Sequence, residues 1–481
     1  MVRNYIKKPS TLGVISFLTG FALMAYELVA ARLLAPTIGS SIYVWTSVIG
    51  IIIAALSLGY WLGGKMADAR QQAIDVAVLC LLAALFVVVT IISHPNTLSW
   101  ISQFIDDVRL QGVIASLLLF APTSFILGCI SPYLAKLNIK TLDTAGESVA
   151  NLSALNSIGG IIGTFITGFV FFGYLGSKET LLIVIMCLIF SSWLLVPKKF
   201  LVRRVVASVV IILMGLLPTP APSSTVARID TPSAHYEIST MSYNSEPIVG
   251  LRTGPGGVQS AVYTDGRDEL VFWYTRYAEK IIESQNPERV LVLGGGAFTL
   301  PEVLAKKLPN TTIDVVEIDP ELEEISKKYF SYEEQPNVNL IFNDARSFVN
   351  TSKEKYDVIF VDVYGDSYVP FSLLTKEYGE RINALLQPDG LVLMNAIVGT
   401  RERCQELVNA IDSVYRPFLP NGSWETQTGQ QQARANYILA YSRSSELIDT
   451  MKLLPAKSSA PAYSDNFMPA ERLHYDCRQE S

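Results

Sequence analysis

Charge is scarce in this chain, and histidine and cysteine are scarcer. Of 481 residues only 17% are Asp, Glu, Lys or Arg, where soluble domains carry about 25%. The shortage lies almost wholly before residue 218; after residue 225 the composition is that of an ordinary globular protein. Three histidines and five cysteines, none in a CxxC pair, argue against a zinc site, and no metal is expected. Cys80, Cys129, Cys187, Cys404 and Cys477 read as small buried hydrophobes. A net charge of −6 and the lack of a basic stripe give no place to nucleic acid as a partner.

Apolar runs fill the space that charge leaves. About 20 apolar residues make a helix long enough for a bilayer core. Seven runs qualify as candidates: 12–34, 44–64, 73–92, 112–134, 152–174, 180–196 and 201–217. The lipid bilayer is therefore an expected partner. The first run follows a basic start, Lys7 and Lys8, but passes Arg32 without a cleavage site, so it reads as a retained helix. Gly159 and Gly163, four apart, allow close helix packing. Glu27 and Arg32 sit inside the first run. Their partners are expected on other helices, with Asp68 and Lys65 as candidates.

Proline and serine at 218–224 mark a linker. Alternating stretches at 235–239 and 259–263, with the turn 254–257 between them, read as short antiparallel strands. From residue 289 the pattern becomes strand, helix, strand, helix. A buried strand at 289–293 leads into Gly294, Gly295 and Gly296, then a helix from about 299 to 307 and a strand from 312. Glu317 follows Gly296 by 21 residues, where a carboxylate can hold a ribose. Further strands at 338–342 and 356–361 end at Asp344 and Asp362, and another runs 391–395. Gly294, Glu317, Asp344 and Asp362 thus stand at the carboxyl ends of successive parallel strands, the edge where open α/β sheets bind ligands. The expected fold is a membrane α-helical bundle of about seven spans followed by an α/β Rossmann-like, methyltransferase-type domain with a small β subdomain at its start. The expected boundaries are 1–217, 218–228, 229–280 and 281–481.

The stretches VLVLGGG, VVEIDPELEEISKKYF, NDARSFV, YDVIFVDVYGD and LLQPDGLVLMN resemble the core of spermidine synthase and related polyamine aminopropyltransferases. FALMAYELVAARLLAPTIGSS, YWLGGKMAD, NSIGGIIGTFITGF and YSDNFMPAERL resemble the bacterial branch in which that core is fused to membrane helices. The resemblance implies that S-adenosylmethionine or its decarboxylated form is the substrate. Gly294, Gly295 and Gly296 would line its methionine-derived tail, Glu317 would hold the ribose, and Asp344 with Ala345 would meet the adenine. Asp362 would be the general base for an amine acceptor, with methylthioadenosine leaving. Asp366, Tyr364, Gln259 and Tyr274 are the candidates on the acceptor side.

The pattern departs from the family in three places. Ala297 stands where the glycine loop is usually followed by an acid. Asp366 is four residues from Asp362 rather than three. In the segment beginning Asp268-Glu269, Phe272 and Tyr274 replace a tyrosine and a glutamate. These changes thin the acid lining that a polyamine needs. They leave open a lyase that splits S-adenosylmethionine without an acceptor, methyl transfer, or a transporter or sensor with a regulatory nucleotide domain. A homo-oligomer is expected.

Lys and Arg cluster at the N-terminus, at Lys65 and Arg70, at Lys136 and Lys140, and at 198–204. This bias sets the N-terminus in the cytoplasm, so seven full crossings would set the second half outside. In the last run only 205–217 is free of charge, about 20 Å of helix against a core of about 30 Å. With that run in the interface, an inner-membrane protein keeps its nucleotide domain in the cytoplasm, where S-adenosylmethionine is found.

Overall fold

The computed structural model of the protein describes residues 9–139, 141, 145–195, 200–218, 224–255, 257–365, 368–399, 401–427, 435–446 and 462–478. It divides into two compact units: Met1–Ser223 with Ile229–His235, and Ser224–Arg228 with Tyr236–Ser481.

The first unit is helical. Its helices are α1 (Pro9–Ile38), α2 (Ile42–Ala69), α3 (Ala73–Phe104), α4 (Val108–Leu119), α5 (Ala121–Asn138), α6 (Ala145–Ile166), α7 (Phe172–Tyr174), α8 (Ser177–Trp193) and α9 (Leu201–Leu216). A π-helical turn, Thr167–Phe171, joins α6 to α7. Among the described residues four stretches are long and apolar enough to cross a bilayer: Ser10–Ile38, Ile42–Ala69, Ala73–Phe104 and Ala145–Tyr174. The pair α4 and α5, bent by 53°, makes up to five.

Seven spans are therefore not reached. The run 112–134 is broken at Phe120. Pro122, in the first turn of α5, has no N–H to carry the helix through. The Leu119 carbonyl at the break instead accepts the hydroxyls of Tyr26 at 3.1 Å and Thr90 at 2.9 Å. The last two runs become α8 and α9, of 17 and 16 residues, short of a full core thickness.

Glycine sets the packing of α1 on α6. A Cβ on Gly159 would lie 2.0 Å from the Phe17 carbonyl, and one on Gly163 2.6 Å from that of Phe21. Conversely, a Cβ on Gly20 would meet the Asn156 carbonyl at 2.0 Å. The sequence spacing is thus used for backbone approach.

Asp68 and Lys65, the partners expected for the charges in the first apolar run, are engaged elsewhere. Asp68 pairs with Lys136 at 2.7 Å, and Lys65 lies over the Trp61 ring at 3.7 Å. Arg32 donates to the Thr231 carbonyl and, at 3.3 Å, to that of Ala234. It also stacks on Phe172 at 4.3 Å. Beside it Asp230 accepts the Ser177 N–H at 2.7 Å, at the start of α8.

After the helices comes a four-stranded sheet in the order β1 (Thr225–Asp230), β2 (His235–Tyr243), β3 (Glu246–Arg252), β4 (Ser260–Tyr263). β1 begins inside the stretch read as linker, whose residues 219–223 lie outside the described set. α10 (Trp273–Gln285) leads into β5 (Arg289–Leu293), α11 (Thr299–Lys307), β6 (Thr312–Glu317), α12 (Glu321–Tyr329), β7 (Val338–Phe342), α13 (Ala345–Thr351) and β8 (Tyr356–Val361). α14 (Lys376–Leu385), β9 (Leu386–Val398), α15 (Gln405–Tyr415), β10 (Asn421–Thr426), β11 (Ala435–Ser442) and α16 (Ala470–Arg478) complete the second unit.

The main sheet has the order β10-β11-β9-β8-β5-β6-β7. β5 to β9 are parallel, and β11 and β10 are antiparallel additions. Continuous apolar runs such as Val290–Leu293 are buried on both faces, as a helix-covered parallel sheet requires. Two of the five cysteines depart from the expected role: Cys404 and Cys477 form a disulfide that ties the start of α15 to α16.

Replacing Gly159 with Leu would force α1 and α6 apart, at a cost of about 1–3 kcal/mol. Gly159→Leu should therefore lower the detergent melting temperature, whereas Gly64→Leu, with nothing within 4 Å of its Cβ position, should not. Equal melting temperatures would refute the close-packed pair.

Candidate active site

β5 is flanked by β6 on one side and β8 on the other, so the chain reverses its winding there. Ligands of open sheets bind at such a switch point. Gly294 follows β5 with φ +94°, and a Cβ on it would lie 2.2 Å from the Asp362 carbonyl. Only glycine fits both demands. The Gly294 N–H bonds the Val316 carbonyl at 2.9 Å, and the Asp362 N–H bonds that of Leu293 at 2.8 Å. The glycine loop and the candidate base thus diverge from one point.

Glu317, at the end of β6, is 8% exposed. One carboxylate oxygen accepts the N–H groups of Gly295 (2.9 Å) and Gly296 (3.2 Å); the other accepts those of Ile318 (2.7 Å) and Asp319 (3.1 Å). Burial pushes its proton affinity up, and these four backbone donors oppose the rise. The loop is braced before any ligand arrives. Its last members are fixed by packing: the Ala297 N–H donates to the Ser260 hydroxyl at 3.0 Å, and Phe298 takes φ +55° with its ring against Gly295. Asp344 caps α13, accepting the Ser347 N–H at 2.8 Å. It lies next to the Glu317 strand end, because the Asn343 N–H bonds the Glu317 carbonyl at 2.9 Å. Ala345 is buried beneath it.

Asp362 follows β8 and is half-buried. Its carboxyl accepts the Asn395 side-chain amide at 2.8 Å. Desolvation pushes that carboxyl up to about 6, and the Asn395 hydrogen bond limits the rise. Tyr274 is buried near Asp362 and Tyr364; burial first, then the Asp362 charge, raises its phenol well above 10 and keeps it protonated. Its hydroxyl donates to the Gln259 carbonyl at 3.4 Å, and its ring stacks on Phe272 at 5.9 Å. The Gln259 amide donates to Thr253 at 2.5 Å and to the Gly365 carbonyl at 3.5 Å. The Tyr364 hydroxyl accepts the Ile397 N–H at 2.6 Å.

The structure therefore brings together Gly294, Gly295, Gly296, Glu317 and Asp362, with Tyr274 near Asp362 and Tyr364 and with Gln259 bonded to Tyr274 and Gly365. Asp366 lies outside the described residues. Sequence reasoning missed Ser260, Asn395 and Asn436. Asn395 carried a signal, since the apolar run 391–394 gives way to it as the run ending at Val361 gives way to Asp362. Among the described residues no cluster of His, Cys, Asp and Glu could hold a metal.

The comparisons with known proteins fall on the same half of the chain. Residues 278–423 match the spermine/spermidine synthase domain. The chain is 31% identical over 143 residues to the polyamine aminopropyltransferase of Vibrio vulnificus (strain CMCP6), covering 29% of this chain and 48% of that protein. It thus spans about half the length of that relative. It is 25% identical over 404 residues to polyamine aminopropyltransferase 2 of Aquifex aeolicus (strain VF5), covering 79% of this chain and 78% of that one. A match of that length runs past the second unit into the helical one. A solved structure of a probable spermidine synthase from Corynebacterium glutamicum ATCC 13032 superposes with a TM-score of 0.40 at 22% identity, covering 50% of this chain and 84% of that one.

The Asp362 carboxyl binds its proton more tightly folded (to about 6) than an unfolded aspartate does, at about 3.9. Its ionisation therefore costs stability as pH rises through that window, and the cost remains above it. Asp362→Asn removes the cost. The variant should melt higher than the wild type at pH 7–8 and match it below about pH 4. A variant that melts no higher at pH 8 would contradict the raised proton affinity of this carboxyl.

Proposed function

We propose, from the premise that residues 278–423 form a spermine/spermidine synthase domain, that this chain is a membrane-embedded enzyme of the aminopropyltransferase type. Its substrate is decarboxylated S-adenosylmethionine or S-adenosylmethionine itself. The adenosyl group would lie along the strand ends, with Glu317 at the ribose, Asp344 and Ala345 at the adenine, and the bare backbone of Gly294, Gly295 and Gly296 along the tail. An acceptor amine attacks the carbon beside the sulfonium sulfur. The N–C bond forms, the C–S bond breaks, its electrons neutralise the sulfur, and methylthioadenosine leaves. The amine's proton passes to Asp362. The nucleotide domain would face the cytoplasm, which holds this substrate.

The observation that carries the reading is the Asp362 carboxyl itself. It stands beside the glycine loop, half-buried, hydrogen-bonded by a neutral amide and raised to about 6. A base works best with a proton affinity near the working pH. Ionised there, it also steadies a cationic transition state.

A second reading has its own support. Ser260 meets the backbone of Ala297, and Tyr274 fills the place of an acid, so the acceptor side offers neutral groups. A substrate whose own carboxylate attacks its γ-carbon needs no amine there. It would give a lactone and methylthioadenosine.

The test is mass spectrometry of products from both substrate forms, with and without putrescine. Methylthioadenosine together with spermidine is the expected result. Asp362→Asn should slow their release about 100-fold or more. Methylthioadenosine without any amine would select the second reading. Its absence under every condition would refute both.

A further inference from the structure

We infer that Asn395 and Asn436 are positioning residues that hold the Asp362 carboxylate in one orientation through two amide hydrogen bonds in series. The functional meaning of this device rests on the reading proposed above; its existence rests on geometry.

Asn395 lies on β9 and is 3% exposed. Its amide nitrogen donates to Asp362 at 2.8 Å, and its amide oxygen accepts from the Asn436 amide nitrogen at 3.0 Å. A primary amide has one accepting end and one donating end. Asn436, donating, takes the oxygen of Asn395 and so turns the NH2 group of Asn395 toward Asp362. A flipped Asn395 would set an oxygen against a carboxylate and an NH2 group against another NH2 group, both unfavourable. The orientation is thus over-determined.

Asn436 is anchored in turn. It lies on β11 opposite Ile397, and its backbone carbonyl accepts the Thr426 hydroxyl at 2.8 Å. The antiparallel strand β11, added beyond the parallel sheet, thereby reaches the base through a side chain. Tyr364 ties down the other end of the same turn: its hydroxyl accepts the Ile397 N–H and donates to the Asn395 carbonyl at 3.4 Å. β9 therefore grips the chain at Asp362 and again two residues on.

The chemistry suits a base. A cationic partner would hold the carboxylate ionised but quench its basicity, whereas an apolar one would leave it protonated. A neutral donor lies between these limits. Among the described residues, Tyr274 from α10 meets the Asp362 charge and, with it, the phenols of Tyr364 and Tyr243. Among the described residues Asp362 forms no ion pair.

The experiment uses the full chain in detergent with Asn395→Ala and Asn436→Ala. The pH profile of methylthioadenosine release should keep its shape while its acid limb moves up, by about one unit for Asn395→Ala and less for Asn436→Ala. Asn395→Gln, which retains the donor, should recover part of the shift. A uniform loss of rate with the limb unmoved would mean mere structural packing and would overturn the inference. The direct readout needs no turnover. The protonated-carboxyl infrared band assigned by its loss in Asp362→Asn should titrate at higher pH in both alanine variants. An unchanged midpoint there overturns the relay even if the proposed reaction is never observed.

Discussion

The site depends on one close approach. Gly294 and the Asp362 backbone occupy a space that admits no side-chain carbon. This contact fixes where β5 and β8 part, and so fixes the distance between the glycine loop and a carboxylate. Everything else at the strand ends is arranged around it. Glu317 braces the loop from β6, Asp344 caps the helix after β7, and Asn395 holds the Asp362 carboxyl from β9. Each functional group comes from a different strand, and the sheet supplies their spacing.

The two central acids share an electrostatic habit. Glu317 is held by four backbone N–H groups and Asp362 by a side-chain amide. Among the described residues neither is paired with a lysine or arginine. Carboxylates kept enclosed without a cation are costly to ionise, and their cost falls when a cation arrives. A sulfonium and an ammonium are such cations. The neutral surroundings of Ala297 and Tyr274 limit how many positive charges the same site can satisfy, which is why the acceptor divides the two readings.

The parallel core was legible because its strands are short, continuous apolar runs bounded by polar turns. The strand edges at 289–293, 338–342 and 356–361 fall where those runs end, and the row of Gly294, Glu317, Asp344 and Asp362 follows from them. The helical half was legible in kind but not in number. Hydropathy counts apolar length, and it cannot weigh the missing N–H of Pro122 that divides 112–134 into two helices. Nor could spacing reveal the Cys404–Cys477 link, because the two cysteines are 73 residues apart with no local motif. Asn436 was invisible for a similar reason: its role depends on the register of β11 on β9, a long-range pairing that local pattern does not encode. Arg32 illustrates the same limit. Its partners are backbone carbonyls near Thr231, about 200 residues away, and carbonyls leave no trace in a sequence.

The central claim is that the strand-end row binds an adenosyl group before any chemistry occurs. Calorimetric titration of the full chain in detergent with methylthioadenosine tests it most directly, since this compound fills the nucleotide half of the site and cannot react. The account predicts saturable binding at one site per chain, weakened in Glu317→Ala. Folded protein that gives no heat with methylthioadenosine would contradict it.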